Sequence, residues 1–519
     1  MNRTDSLQRL SATNTWDIVV IGGGATGIGI AVDAASRGLS VALLEQSDFG
    51  KGTSSRSTKL VHGGVRYLQQ GNISLVMEAL KERGLLLRNA PHLVHDLEFI
   101  VPNYAWWEAP FYGIGMKVYD MLAGRYGFGR SQLLSRDEVL AHIPTLHQDG
   151  LRGGVSYHDG QFDDTRLLVS LARTATVHGA CLLNYARVNA LHKGADGFVH
   201  GLTFSDEETG TTHRIDARCV INATGPFCDA VRRMDDTKAE PIIAPSQGIH
   251  LVLPRRFLPG NSAIMVPHTR DGRVMFAIPW HEHTVVGTTD TAIQHTPLEP
   301  LPFEEEIDFI LETAHGYLEQ PPTRADILSV FVGIRPLVKA SGTATTSALS
   351  RDHTIQISSS GLLTIAGGKW TTYRNMAEDA VNHALVLAHL DEHPCVTKDL
   401  RLHGWHESAA QFGSLAVYGA DAPAIQALAR EDATLAQPLH PALPIIGAEI
   451  IWAARHEMAR TVEDALARRT RALFLNAQAA IDMAPAAARL LAQELGHDDA
   501  WQAAQIDAFR KIAEGYLPR

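Results

Sequence analysis

Residues 17–45, DIVVIGGGATGIGIAVDAASRGLSVALLE, decide the fold of this 519-residue chain. They open on a short apolar run, IVVI at 18–21, suited to a strand buried on both faces of a parallel sheet. Gly22, Gly24 and Gly27 follow at the spacing G-x-G-x-x-G. The first glycine permits a tight turn, the second lets a pyrophosphate approach the backbone, and the third brings helix and strand together. A helix over residues 28–36 then aims its N–H groups and positive dipole end at that phosphate. Arg37 and Gly38 end the helix, residues 41–44 make a second strand, and Glu45 closes it. That carboxylate lies where an acid accepts a hydrogen bond from an adenosine ribose. Strand, turn, helix, strand and acid in one register define a dinucleotide site.

The chain is too long for one core and should form two or three packed domains. Apolar content of 45% and charged content of 20% are ordinary for a soluble globular protein. A net charge of −11 argues against a nucleic-acid partner, while leaving room for a local basic or aromatic patch on a membrane. No window approaches the roughly 20 apolar residues that span a bilayer. The polar start, MNRTDSLQRLSATNTW, lacks the apolar core of a secretory signal. Four cysteines (Cys181, Cys219, Cys228, Cys395), none in a C-x-x-C pair, suggest no disulfide framework and no zinc, iron–sulfur or other metal site. A cytosolic setting fits these features.

Working outward, residues 1–15 read as a mobile tail. The run KGTSSRSTK at 51–59 feeds directly into LVHGGVRYL. Its hydroxyl residues suggest a loop that bonds a ligand, and Gly63-Gly64 lets backbone approach something closely, flanked by His62, Arg66 and Tyr67. The alternative is a turn with a surface arginine. Residues 72–89 have helical periodicity. An aromatic-basic stretch over 101–150 contains Tyr104, Trp106, Trp107, Phe111, Tyr112 and Tyr119 with Lys117, Arg125 and Arg130. It reads either as rings packed in a domain interface or as an interfacial membrane segment.

Asp163 or Asp164 caps a helix starting near Thr165. Residues 186–220 read as a β-meander whose last strand runs into Gly225, a second glycine turn delivered to the nucleotide. Residues 241–286 read as an antiparallel sheet of short β-branched strands, inserted to roof the cofactor. His250 alternates with apolar neighbours there, and Asp290 ends the run GTTD. Arg335, in FVGIRPLV, needs an anionic partner, either a structural carboxylate or a bound phosphate. GLLTIAGGKWTTYR at 361–374 repeats the strand–double glycine–helix theme with Gly368, Lys369 and Thr371. Residues 447–474 form an amphipathic helical stretch with a break near Arg460, and its arginines suit a solvated or interface face.

Taken together, GGGATGIGIAVDAASRG, SSRSTKLVHGGVRYL, INATGPF, FAIPW, VVGTTD, GIRPL and GGKWTTYR resemble the FAD-dependent glycerol-3-phosphate dehydrogenases. RHEMARTVEDALARRTR resembles that family's helical C-terminal domain, and the motifs keep family order from about residue 16 to about residue 475. Ile28 stands where the family usually carries a smaller residue. The resemblance implies an α/β fold of the D-amino-acid-oxidase and glutathione-reductase kind. In this fold a two-part, Rossmann-like FAD-binding domain carries an inserted antiparallel-sheet substrate domain and a C-terminal helical cap. The expected division assigns 16–100, 151–240 and 346–395 to the FAD-binding domain, 241–345 to the substrate domain and 396–519 to the cap.

The family oxidises sn-glycerol 3-phosphate to dihydroxyacetone phosphate on FAD and passes electrons to a membrane quinone, ubiquinone or menaquinone. By resemblance, Gly22, Gly24, Gly27, Glu45, Ser54, Ser55, His62, Gly225, Gly368, Lys369 and Thr371 hold FAD. His250 is the proton acceptor, favoured because the step wants a pKa near neutrality. Arg335, Arg66 and Lys369 are the cations for the phosphate dianion, Arg335 or Lys369 also steadies the developing alkoxide, and Tyr67 positions substrate. The implied protein is cytoplasmic and peripheral on the inner face of the cell membrane, and its cap could mediate a homodimer. An oxygen-using oxidase shares most motifs but tends to carry an insert in the substrate half, to which residues 338–351 offer no counterpart. An amino-acid oxidase would not need three phosphate-suited cations, and a non-catalytic flavin-binding subunit would be expected to lose them.

Overall fold

The computed structural model describes residues 1–65, 68, 72–267, 269, 270, 272–339 and 353–518. Arg66 and Tyr67, and most of the stretch at 338–351, therefore lie outside the described residues. Two sheets carry the fold. In the first, Trp16–Ile21 pairs in parallel with Val41–Leu44 on one side and with the end of Thr212–Asn222 on the other. Cys181–Leu183 and Leu363–Gly367 extend it at either flank, also in parallel. From Ile18 to Ile21 the opening strand is apolar at every turn of the pleat because both faces are covered. Ile18 and Val20 pack with the helices Ala25–Ser36, Asp164–Val177 and Tyr373–Leu387. Val19 and Ile21 pack with Leu202 and Phe204 of the meander Ala186–Lys193, Val199–Asp206, Thr212–Asn222.

Residues 1–15 are not a mobile tail. Arg3–Ala12 is a helix capped by the Asn2 side chain, with Leu10 buried in the meander core. Arg3 is buried too, donating to the Asn184 carbonyl at 3.3 Å and pairing with Asp206. The anchor is a charged residue whose partners lie some two hundred positions away, which is why the local pattern looked like a tail.

Among the described residues the second sheet has ten strands around Ile243–Pro254, which runs antiparallel to Ser329–Val338 and to His283–Gly287. Met275–Trp280 and Ala263–Val266 follow outward. The sheet then continues through Val94–Asn103, Gly153–Phe162 and Leu60–Val61, so it draws strands from well before residue 241. Pairing is antiparallel except between Ala263–Val266 and Val94–Asn103. The aromatic-basic stretch forms the helix Glu108–Ala123, which divides its rings between two environments. Tyr112, Met116 and Tyr119 are buried in a core, whereas Trp106, Phe111, Ile114 and Met121 are exposed.

The C-terminal region is helical. Gly447–His456 is followed, after the expected break, by a π-helical turn Asp464–Arg469, and then by Ala477–Leu495 and Asp499–Ala513. Arg468, Arg469 and Arg471 are buried in an interface, whereas Arg455 of the same stretch is exposed and pairs with Glu494. Arg469 forks onto Asp48 with both bonds at 2.7 Å, Arg166 onto Glu457, and Arg471 pairs with Asp163 at 2.6 Å. Asp163 also caps the helix Asp164–Val177, accepting from the Arg166 N–H at 3.0 Å.

Candidate active site

A cavity of about 530 Å³ is lined from both sheets. On the first sheet its wall includes Gly22, Gly24, Glu45, Ser54, Gly225, Gly368, Lys369 and Thr371. The glycines there are required by space and by backbone angle. Gly22 has φ +111°, and a Cβ on it would lie 2.7 Å from the Ala223 carbonyl oxygen. A Cβ on Gly27 would lie 1.9 Å from the Gly22 oxygen, so Gly27 seats the helix on the turn rather than lining the cavity. The Ala25 N–H at the helix start donates to Ser54 Oγ at 2.9 Å, which brings the hydroxyl loop to the anion-binding end of the helix. Glu45 reaches back along the turn, accepting from the Gly23 N–H at 2.6 Å and the Ser47 N–H at 2.9 Å. Burial pushes its carboxyl above the usual range. Glycine turn, helix start, hydroxyl and acid thus converge as an adenine dinucleotide requires, and the residues present fit FAD.

The opposite wall carries the polar groups of the second sheet. His250 is buried, its ring stacked on Phe331 at 4.8 Å, with Nε2 and Thr58 Oγ1 hydrogen-bonded at 2.9 Å. Burial, reinforced by Lys59 and Arg335, pushes the imidazole well below its ordinary pKa, so it is a neutral group rather than one poised near neutrality. The residues on either side of Thr58 are held by one carboxylate. Asp164 Oδ2 accepts from Ser57 Oγ and from Lys59 Nζ, each at 2.7 Å. Lys59 Nζ sits within about 5 Å of the Trp280, Phe331 and Phe474 ring centres. Arg335 finds the carboxylate alternative of its two expected partners. Its Nη1 donates to Asp290 Oδ1 at 3.2 Å, and Nη2 to Thr288 Oγ1 and the Thr289 carbonyl at 3.1 and 3.0 Å.

Of the residues expected at the site, His62 also lines the cavity, its N–H donating to Thr371 Oγ1 at 3.2 Å. The turn after it is tight: Gly63 N–H donates to Tyr119 Oη, whose hydroxyl donates to Asp159. Ser55 is buried behind the lining and is not part of it. Thr58 and Arg273 line the cavity without having been singled out. Thr58 was one hydroxyl in a run of five, and Arg273 lies in a polar turn, DGR, that carries no periodicity.

The chain matches the family model described as FAD dependent oxidoreductase over residues 17–374. Residues 362–502 match the C-terminal domain of alpha-glycerophosphate oxidase. The fold and cavity are therefore those of an FAD-dependent oxidoreductase, and FAD is its cofactor. A glycerol-3-phosphate dehydrogenase from Bacillus halodurans, solved complexed with FAD, superposes with TM-score 0.81 at 30% identity, over 99% of this chain and 97% of that one. Mitochondrial glycerol-3-phosphate dehydrogenases of Homo sapiens and Arabidopsis thaliana are 42% and 40% identical over 98% of this chain and 75% and 87% of their own lengths. The chain belongs to the FAD-dependent glycerol-3-phosphate dehydrogenase family. The L-alpha-glycerophosphate oxidase of Mycoplasma pneumoniae, with TM-score 0.58 at 18% identity over 73% of this chain and 96% of its own, shares the fold.

Proposed function

We propose that the protein oxidises sn-glycerol 3-phosphate to dihydroxyacetone phosphate and hands the electrons to a membrane quinone, ubiquinone or menaquinone. The reading rests on one juxtaposition above all. An arginine fork, Arg335, and a buried neutral imidazole, His250, face the same cavity as the nucleotide turn. Bound FAD would supply, at its N5, the hydride acceptor for C2. Gly22, Gly24, Glu45, Ser54, His62, Gly225, Gly368 and Thr371 hold it, and Gly27 keeps the helix end in place. His250 takes the C2 hydroxyl proton at Nε2. Its depressed basicity calls for proton loss in step with hydride loss, so that the proton becomes acidic as the carbonyl forms. Arg335 and Lys369 steady the developing charge on oxygen and bind the phosphate. Arg66 and Tyr67 add a further cation and a positioning hydroxyl.

The quinone lies in a bilayer, and the reading places the protein peripherally on the inner, cytoplasmic face of the cell membrane. No helix among the described residues is long and apolar enough to cross a membrane. The exposed face of Glu108–Ala123 and the turns flanking it support surface docking, with Trp106, Phe111, Ile114 and Met121 at 77%, 52%, 68% and 73% exposure beside exposed Lys117 and Arg125. The test is anaerobic mixing of the yellow holoenzyme with sn-glycerol 3-phosphate. Rapid bleaching, slow recovery in air and fast recovery with a quinone analogue are expected. Fast recovery in air with peroxide release would make it an oxidase, and no bleaching would sink the substrate assignment.

A further inference from the structure

We infer that Asp290 is the positioning residue of a two-arginine clamp, Arg335 with Arg273, that takes the phosphate end of the substrate. The inference rests on the glycerol 3-phosphate reading above. Three separate segments meet at this carboxylate. Arg335 comes from the strand Ser329–Val338, Arg273 from the turn before Met275–Trp280, and Asp290 from the segment after His283–Gly287. All three line the cavity. Asp290 Oδ1 stands 3.2 Å from Arg335 Nη1, and Oδ2 stands 3.9 Å from Arg273 Nη1. The carboxylate is itself fixed, because Ser246 Oγ donates to Oδ1 from the strand Ile243–Pro254.

The pocket behind Arg335 is built to its shape. A Cβ on Gly248 would lie 2.6 Å from Arg335 Nη2 and 2.5 Å from the Thr289 carbonyl oxygen that this nitrogen bonds. The bare backbone of Gly248 is thus what lets the guanidinium reach Thr288 Oγ1 and the Thr289 carbonyl. Two guanidinium groups on one wall repel each other unless an anion stands between them, and Asp290 is that anion. A phosphate dianion is best met by more than one guanidinium fork, since each supplies paired, directed N–H donors. Asp290 therefore sets the spacing and facing of the pair before substrate arrives, as a preorganised site requires.

Two roles for this carboxylate predict opposite signs. If it only trimmed the positive potential, removing its charge would tighten anion binding. If it aligns the pair, removing its charge lets the arginines splay and weakens anion binding. The experiment measures the dissociation constant of inorganic phosphate on the holoenzyme by calorimetry, with KM and kcat for sn-glycerol 3-phosphate alongside. Asp290→Asn should weaken phosphate by about tenfold or more and raise KM by a similar factor, with kcat less affected. Asp290→Glu should recover part of the loss. Arg273→Gln should weaken phosphate on its own, yet add little in the Asp290→Asn background, because the two act as one unit. Phosphate binding unchanged or tighter in Asp290→Asn, or losses that simply add, would overturn the clamp. Bleaching of the wild type reads the substrate assignment separately: should it fail, the phosphate constants still decide whether the clamp exists.

Discussion

Gly27 has no room for a side chain, and its burden falls on the cofactor as much as on the fold. The Gly22 carbonyl that a Cβ would strike belongs to the turn beside the nucleotide. Gly27→Ala is expected to cost roughly 1–3 kcal/mol of stability by overpacking and to leave the purified protein short of FAD. Flavin absorbance per protein and a urea midpoint check both, and full flavin loading at wild-type stability would refute it. Such glycines are legible in sequence because their spacing reports a backbone requirement. His250 was legible as a candidate, but its chemistry was not. Expecting a pKa near neutrality ignored the Phe331 stack and the nearby Lys59 and Arg335, all of which come from other parts of the chain. Arg273 and Thr58 lacked any local signal, since a polar residue in a turn looks the same whether it faces solvent or a cavity.

The helix Glu108–Ala123 presents one face to the core and the other outward, so some of its rings pack inside while others stand exposed. Its buried face supports the site at one remove, through Tyr119, which accepts from the Gly63 N–H at 2.8 Å and donates to Asp159 at 2.7 Å. Substitutions in the exposed turn that leads into the helix and on its buried face should therefore separate. Trp106→Ala with Trp107→Ala is expected to release the protein from liposomes while leaving its melting temperature nearly unchanged. Tyr119→Phe should instead cost about 1–3 kcal/mol, by stranding a buried acceptor, and leave liposome binding intact. Flotation with vesicles and thermal melts check the pair, and retention of the double tryptophan variant on vesicles would place the membrane contact elsewhere. Helical periodicity made both faces visible in the sequence. Which face was covered depended on Val94–Asn103 and Gly153–Phe162 arriving beneath it.

Across the whole molecule, the cap is fastened to the nucleotide sheet by buried ion pairs. Lys51 meets Glu463 at 2.7 Å, Arg166 forks onto Glu457, and Arg468 and Arg469 converge on Asp48. Burial alone would raise the Asp48 carboxyl, but Arg469 and Arg468 override it and hold the group down at about 2. A carboxyl depressed in the folded state binds fewer protons than in the unfolded chain, so its stabilisation is complete above the unfolded value. It is lost as pH falls from about 4 to about 2. The cap is thus expected to loosen over that acid window, read as limited proteolysis within 447–475. In Arg469→Met, which leaves the buried Asp48 with Arg468 as its remaining arginine partner, cleavage should begin at higher pH. Equal acid sensitivity in the variant would contradict this.

The order of strand, glycine turn, helix and acid and the double-glycine turn at Gly368 could be read from the residues, because backbone geometry and apolar periodicity are local properties, and the family from motifs that resemble its own. The anchoring of residues 3–12, the recruitment of strands from 60–162 into the second sheet and the burial of the cap arginines could not. Each depends on partners far away in the chain, and a charged side chain declares its role only once its counter-ion stands beside it. The meeting of Arg273, Asp290 and Arg335 is the same case: long-range strand pairing placed three polar residues together, and no spacing in the sequence encodes that distance.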